Sequence, residues 1–227
     1  MRLLSVDWDY YAGSAEQVFD SPLWGSPDRD YHRVARWADL LARRGGDPRA
    51  LQADFPLHGD PRELLRYRGL PVHAALSHDA AWAWLAGYGE HLEVINLDSH
   101  HDLYSSSGDP ARLRPGNWAG LALAAGRVAR YTCVYPEWHA RVRVAEGFDL
   151  ERTEQEIRAA VQAPWRERVS LERGTPLPGD VAGVLIVQSP AWSNPQYDGV
   201  LLELLSALEA RTLTEAPLDR RRLLPQL

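Results

Sequence analysis

Asp98, His100 and Asp102 stand at alternate positions after a run of β-formers, Val94-Ile95-Asn96-Leu97. Carboxylate oxygen and neutral imidazole together suit borderline divalent ions such as manganese, zinc or iron. Alternate side chains of an extended strand share a face, so the spacing predicts that the three converge on one point. The device recurs near the start, where Leu3-Leu4-Ser5-Val6 runs into Asp7 and Asp9. Two acidic clusters, each following an apolar strand, point to a metal centre. The competing reading is a pair of hydrogen-bonded strand-end turns with no metal.

Composition removes several other chemistries. All 25 basic residues are Arg, and the absence of Lys rules out Schiff-base, pyridoxal phosphate and P-loop lysine mechanisms. Cys133 is the only cysteine and lies in an apolar strand-like run, so it reads as core, and no internal disulfide or cysteine zinc cluster is possible. A formal net charge of -6 argues against a general nucleic-acid binder. No apolar stretch is long enough for a membrane span. Acidic residues come too early for a signal peptide, which makes a cytoplasmic protein the expectation. Ser189 has no Gly-x-Ser-x-Gly elbow around it, which disfavours a serine hydrolase.

The elements that must position these residues alternate strand and helix. Strands are expected at 3–6, 71–77, 92–97, 129–135 and 181–187. Helices are expected from Asp30 to the Gly45-Gly46 stop and over 61–67, 79–86, 116–125, 150–162 and 197–210. Near-continuous apolar strands separated by helices predict an α/β fold: three layers, a mainly parallel sheet and helices on both faces. In such sheets ligands sit beyond the carboxyl ends of the strands. Asp7, Asp9, His78, Asp98, His100, Asp102, the Pro136-Glu137-Trp138-His139 turn and residues 189–194 all fall at or just past such ends. No domain boundary is visible, so 1–227 reads as one domain. Its tail, 212–227 with Arg220-Arg221-Arg222, reads as a solvated or packing segment.

Taken together, the Asp-x-His-x-Asp strand end, the Asp-x-Asp pair and an additional His resemble the arginase/deacetylase superfamily. The closest likeness is to a branch with Asp-Ser-His-x-Asp-Leu, then Asn-Trp opening a helix, then a Tyr-Pro-x-Trp turn. Here these are Asp98 to Leu103, Asn117-Trp118 and Tyr135 to Trp138. That branch includes peptide arginases, which convert Arg side chains of ribosomal peptides to ornithine. The likeness covers about residues 70 to 195 and the short N-terminal match. Two features depart from ordinary arginases. The Asp-x-Asp strand precedes the Asp-x-His-x-Asp strand, implying a permuted strand order, and the usual Gly-Gly-Asp-His segment is missing. The recognisable loop for a free α-amino acid is also absent, which favours a peptidyl or small guanidino substrate.

The resemblance implies two Mn2+ ions, with Zn2+ or Fe2+ as alternatives. Asp98 and Asp7 are the bridging candidates. His100 with Asp9, and His78 with Asp102, would complete the two coordination spheres. His73 rivals His78, and a core or helix-start histidine is the other reading of that position. Out of phase with its neighbours, His101 is expected to face away from the ligands. His139 is either a proton shuttle or a surface histidine, and Glu137 either a guanidinium partner or a turn carboxylate. Asn117 is a helix N-cap or a substrate contact, and Trp118, Trp138 and Trp192 are pocket walls or packing. The expected reaction is hydrolysis of a peptidyl arginine guanidinium to ornithine and urea. The alternatives are a single-zinc amide deacetylase and, outside enzymes, a metal-stabilised binding protein.

Overall fold

The computed structural model describes residues 1–13, 31–104, 111–161 and 166–223. The expected helix start at Asp30, the loop before it, Gln162 and tail residues 224–227 lie outside them. Seven strands form one sheet: β1 (Arg2–Asp7), β2 (Val72–Ala75), β3 (Leu92–Leu97), β4 (Val128–Tyr135), β5 (Val169–Arg173), β6 (Val184–Val187) and β7 (Arg211–Thr212). Their order is β5-β4-β3-β1-β6-β2-β7, and every pairing is parallel.

The first strand in sequence is therefore central. β1 pairs with β3 through Arg2↔Glu93 to Val6↔Leu97, and with β6 through Leu4↔Val184 to Asp7↔Val187. Its pleat divides the core. Leu3 faces a cluster with Val94, Tyr131, Leu185 and Val187, while Leu4 and Val6 face another with Leu97, Val184 and Ile186.

Helices cover both faces. On the Leu3 side lie α4 (Ala81–Ala86), α5 (Trp118–Ala124) and α6 (Leu150–Ala160). On the other side, α7 (Asp198–Ala207) contributes Leu201, Leu204 and Leu205. Three short helices precede these in the chain: α1 (Asp9–Ala12), α2 (Arg36–Arg43) and α3 (Pro48–Asp54). α2 and α3 build a satellite core from Trp37, Leu40, Leu41, Leu51 and Phe55. Each fully buried Leu or Val contributes about 1.5–3 kcal/mol. The result is the expected three-layer α/β arrangement, with β5, β7, α1 and α3 as elements the sequence reading did not assign.

β5 escaped because it is an edge strand. Its Val169-Ser170-Leu171-Glu172-Arg173 is only partly buried and presents no continuous apolar run. The described part of the tail, 212–223, packs at two points: Leu213 N donates to Ala74 O, and Arg220 is buried.

Candidate metal centre

β1 finishes in Asp7 and β3 leads into Asp98, and each aspartate turns the chain. Strand hydrogen bonding runs as far as Trp8 N on Val187 O and Asp98 N on Val134 O. Asp7 Oδ1 then accepts from Asp9 N at 3.1 Å, and Asp98 Oδ1 accepts from His100 N at 2.9 Å. These are local side-chain turns of the kind that aspartate favours. The expectation of convergence along an extended strand is thus corrected: β1 ends at Asp7 and β3 at Leu97. Asp9 opens a helix and His100 follows a bend.

Asp102 departs further from a strand, with φ of 53°. Aspartate tolerates this left-handed region better than most residues. Its carbonyl accepts from Ala119 N and Gly120 N at the start of α5, and its Oδ2 from Trp118 Nε1 at 2.6 Å. Gly120 makes that seating possible, since a Cβ there would lie 1.8 Å from Leu103 O.

These turns, with His78 just past β2, gather six buried side chains. His78 Nδ1 lies 3.0 Å from Asp7 Oδ2, 3.2 Å from Asp98 Oδ2 and 3.0 Å from Asp102 Oδ2. None of these oxygens is aligned as a hydrogen-bond partner, so the nitrogen points into the carboxylate cluster unbonded. The other ring nitrogen, Nε2, is 2.8 Å from Ser5 Oγ. With its proton there, Nδ1 presents a lone pair, the arrangement in which a histidine ligates a metal.

The second group lies beside the first. His100 Nδ1 is 3.2 Å from Asp9 Oδ2 and 3.6 Å from Asp98 Oδ1. Two three-residue clusters able to hold a metal ion result, Asp7/His78/Asp98 and Asp9/Asp98/His100, sharing Asp98. Asn96 Nδ2 donates to Asp98 Oδ2, and Ser99 N to Asp9 Oδ1, tying the two turns together. Among the described residues no arginine pairs with any of the four aspartates; their ion pairs are with His78 and His100.

The electrostatics show a site short of positive charge. Burial, then the Asp7 and Asp98 charges, push the Asp9 carboxyl up to about 7. Burial and the Asp98 charge likewise raise Asp102 well above the usual carboxylate range. For Asp98 burial acts upward, but the close His100 and His78 imidazoles outweigh it and hold the group below that range. Both imidazoles are held well above 6.5 against burial, His78 by Asp102 and its neighbours, His100 by Asp9 and Asp98. Bound cations would replace those protons.

A cleft opens onto this cluster. Asp7, His78, His100, Asp102 and Ser189 form its floor, and His101, Tyr104, Pro115, Gly116 and Trp192 its wall. His101, expected to face away, is buried and lines the cleft; its Nδ1 accepts from Leu103 N at 2.9 Å. His73 lies within β2 in register with Arg211, outside the cluster.

The other candidates fall elsewhere. Glu137 is exposed and is not among the cleft-lining residues. Asn117 precedes α5 but makes no side-chain cap to it. Its Oδ1 accepts from Arg114 N and its Nδ2 donates to Arg112 O, so it braces its own turn. His139, for which a surface position was one reading, is completely buried. Its Nδ1 lies 2.7 Å from Glu146 O, and its Nε2 has no partner. Trp118 braces Asp102, Trp192 sets its edge against His100, and Trp138 stacks on His58.

Three polar groups around the site were given no role there by type or spacing, although Ser189 was placed at a strand end. Ser5 serves His78, and Ser189 Oγ donates to Asp7 Oδ2 at 2.5 Å. Glu146 accepts from His101 N at 2.9 Å while its Oε1 is buried without a partner, and burial pushes its carboxyl up to about 7. The signal for Ser5 was available, as a lone hydroxyl inside an apolar strand. Ser189 offered only a Ser-Pro step, and Glu146 nothing.

No family model, curated protein or solved structure matches this chain. The fold and the two clusters themselves define the class: a three-layer α/β protein with a parallel sheet and a site able to hold two metal ions. No helix among the described residues is long and apolar enough to cross a membrane.

Proposed function

We propose that this chain is a dinuclear manganese hydrolase that cleaves the guanidinium group of peptidyl arginine to ornithine and urea. The observation that carries the metal pair is Asp98, whose two oxygens face different imidazoles: Oδ2 toward His78 and Oδ1 toward His100. A carboxylate shared in this way suits ions about 3.5–4 Å apart. Asp7, His78 and Asp102 would hold one ion and Asp9 and His100 the other, with Asp98 between them and Asp7 a second bridge. When bound, such a pair lowers the pKa of water and stabilises negative charge developing on the substrate.

The remaining residues orient and transfer protons. Ser5 fixes the His78 tautomer, and Ser189 and Trp118 fix the Asp7 and Asp102 carboxylates. Trp192 and Tyr104 offer flat aromatic surfaces at the cleft wall, which suit a planar cation. His139, its pKa lowered to about 3 mainly by burial, stays neutral and is a poor proton acceptor. Glu146, titrating near neutrality, is better matched to give a proton to the leaving amine. Glu137 is left without a place at the cleft, and Asn117 is the brace of the turn before α5.

A single-zinc deacetylase needs only Asp7, His78 and Asp98, which form one complete cluster. Asp9 separates the two readings, because a one-metal site survives Asp9→Ala and a two-metal site does not. The test is metal content per chain after growth with manganese, followed by urea release from arginine-containing peptides. Two manganese ions and urea are expected. One tightly held zinc, with no urea, supports the deacetylase instead.

A further inference from the structure

The triplet Arg220-Arg221-Arg222 looks solvated as a string, yet Arg220 is completely buried, as is its partner Asp198. Arg220 Nε donates to Asp198 Oδ2 at 2.8 Å and Nη2 to Asp198 Oδ1 at 2.6 Å, a bidentate match. Its remaining donors reach the stretch that leaves β6: Nη1 the carbonyl of Pro190, and Nη2 that of Ser193 at 3.0 Å. The Gln188 side chain completes the join, with Oε1 accepting from Leu218 N and Nε2 donating to Leu218 O, both at 2.7 Å.

This stretch bears on the metal centre. Ser189 donates to Asp7 Oδ2, and the Trp192 ring lies 6.0 Å from that of His100. Ser189 also holds φ at 45°. A residue with a Cβ keeps that conformation only where its surroundings over-determine it. Here Ser189 N donates to Leu76 O, and Ser189 O accepts from Trp192 N and Ser193 N. Arg220 then grips the carbonyls of Pro190 and Ser193, which follow Ser189 around the turn.

We propose that Arg220 is a positioning residue of the metal centre: its clasp on Pro190 and Ser193 holds Ser189 in the left-handed conformation that fixes the Asp7 carboxylate for an ion shared with His78. This rests on the two-ion reading. A merely structural ion pair would affect stability alone, so the test must separate stability from metal affinity. The double variant Arg220→Met/Asp198→Asn removes both charges together and leaves no unpaired buried ion, while Asn keeps an acceptor for the residue 220 amide. What it loses is the guanidinium fork on Pro190 and Ser193.

The measurement is manganese titration of metal-free wild type, the double variant, Ser189→Ala and the triple combination, alongside thermal melts. Expected is a double variant that melts near the wild type but binds one of its two ions about 10–100-fold more weakly. Ser189→Ala should show a comparable loss, and the triple variant little more than either, because both act through one hydrogen bond. A double variant that binds both ions like wild type, or losses that simply add, overturns the clasp alone. Wild type that binds no manganese overturns the two-ion reading and this role with it. Should the double variant fail to fold, Arg220→Lys keeps the charge without the planar fork. It must then show the same selective weakening, and wild-type affinity for both ions in that variant overturns the proposal.

Discussion

The molecule buries charge in two places, and the two are built to opposite rules. Around Arg220 the charges balance: one guanidinium meets one carboxylate, and Asp198 also receives Gln188 Nε2 and the Arg220 amide. Around Asp98, four carboxylates crowd against two imidazoles, with His78 Nδ1 and Asp9 Oδ2 lacking hydrogen-bond partners. Leaving buried polar atoms unpaired costs about 1–3 kcal/mol each. The first cluster is complete within the chain. The second is left unbalanced within the chain and able to take up cations, and this difference separates buried charge that is architecture from buried charge suited to a ligand.

The strongest way to break the contrast is at the shared carboxylate. Asp98→Asn keeps the shape and removes the charge, and it should weaken both ions by more than about a hundredfold, since even partners one layer further out are worth 10–100-fold. Metal titration and urea release check it together. Next, the two clusters should answer neutralisation with opposite signs. Asp198→Leu strands a buried guanidinium and should cost about 3–5 kcal/mol. Asp9→Asn in metal-free protein relieves a crowded carboxylate held up at about 7 and should stabilise by about 1–2 kcal/mol. Denaturant midpoints distinguish them; destabilisation by both would erase the contrast.

Acidity sharpens the comparison further. His78 and His100 titrate above their ordinary 6.5 in the folded chain, so their contribution is complete below that value and is lost as pH rises through the raised ones. Asp9, raised from 3.8 to about 7, holds a proton over that interval only when folded, and acts in the same direction. Metal-free protein should therefore lose stability between about pH 6.5 and about pH 8, above the range in which the buried neutral His58, His101 and His139 add stability with rising pH, whereas manganese-loaded protein should gain it, because the ions displace those protons. Melts with and without chelator read the two slopes. The smallest effect expected is that of Ser5→Ala, which frees the His78 ring and should weaken one ion about tenfold, visible in the same titration as a split between the two sites.

How much of this was legible beforehand depends on what each residue's neighbours in sequence reveal. β1, β3, β4 and β6 announce themselves as apolar runs because both faces of a central parallel strand are buried. The half-exposed edge strand β5 has no such signature. Asp7, Asp9, Asp98, His100 and Asp102 stood out by type and spacing, although turns rather than a continued strand gather them. His78 was harder to choose over His73, since nothing local says which histidine will meet carboxylates brought from residues 7 and 98. The depth of Arg220 and the approach of Glu146 are tertiary facts: an arginine triplet and a lone glutamate between Ala145 and Gly147 carry no trace of what they touch.

The central position of β1 also sets a timetable for synthesis. Its Asp7 and Asp9 are made first, yet its neighbours in the sheet are residues 92–97 and 184–187. At ribosomal speeds of about 5–20 residues per second, β1 waits on the order of ten seconds or more for its second flank. Its pairings are long-range, the kind that form slowly. The serine that fixes Asp7 and the arginine that clasps its turn come later still. The cluster around Asp98 therefore cannot assemble until residues 184–189 have been made, long after the two aspartates that open it.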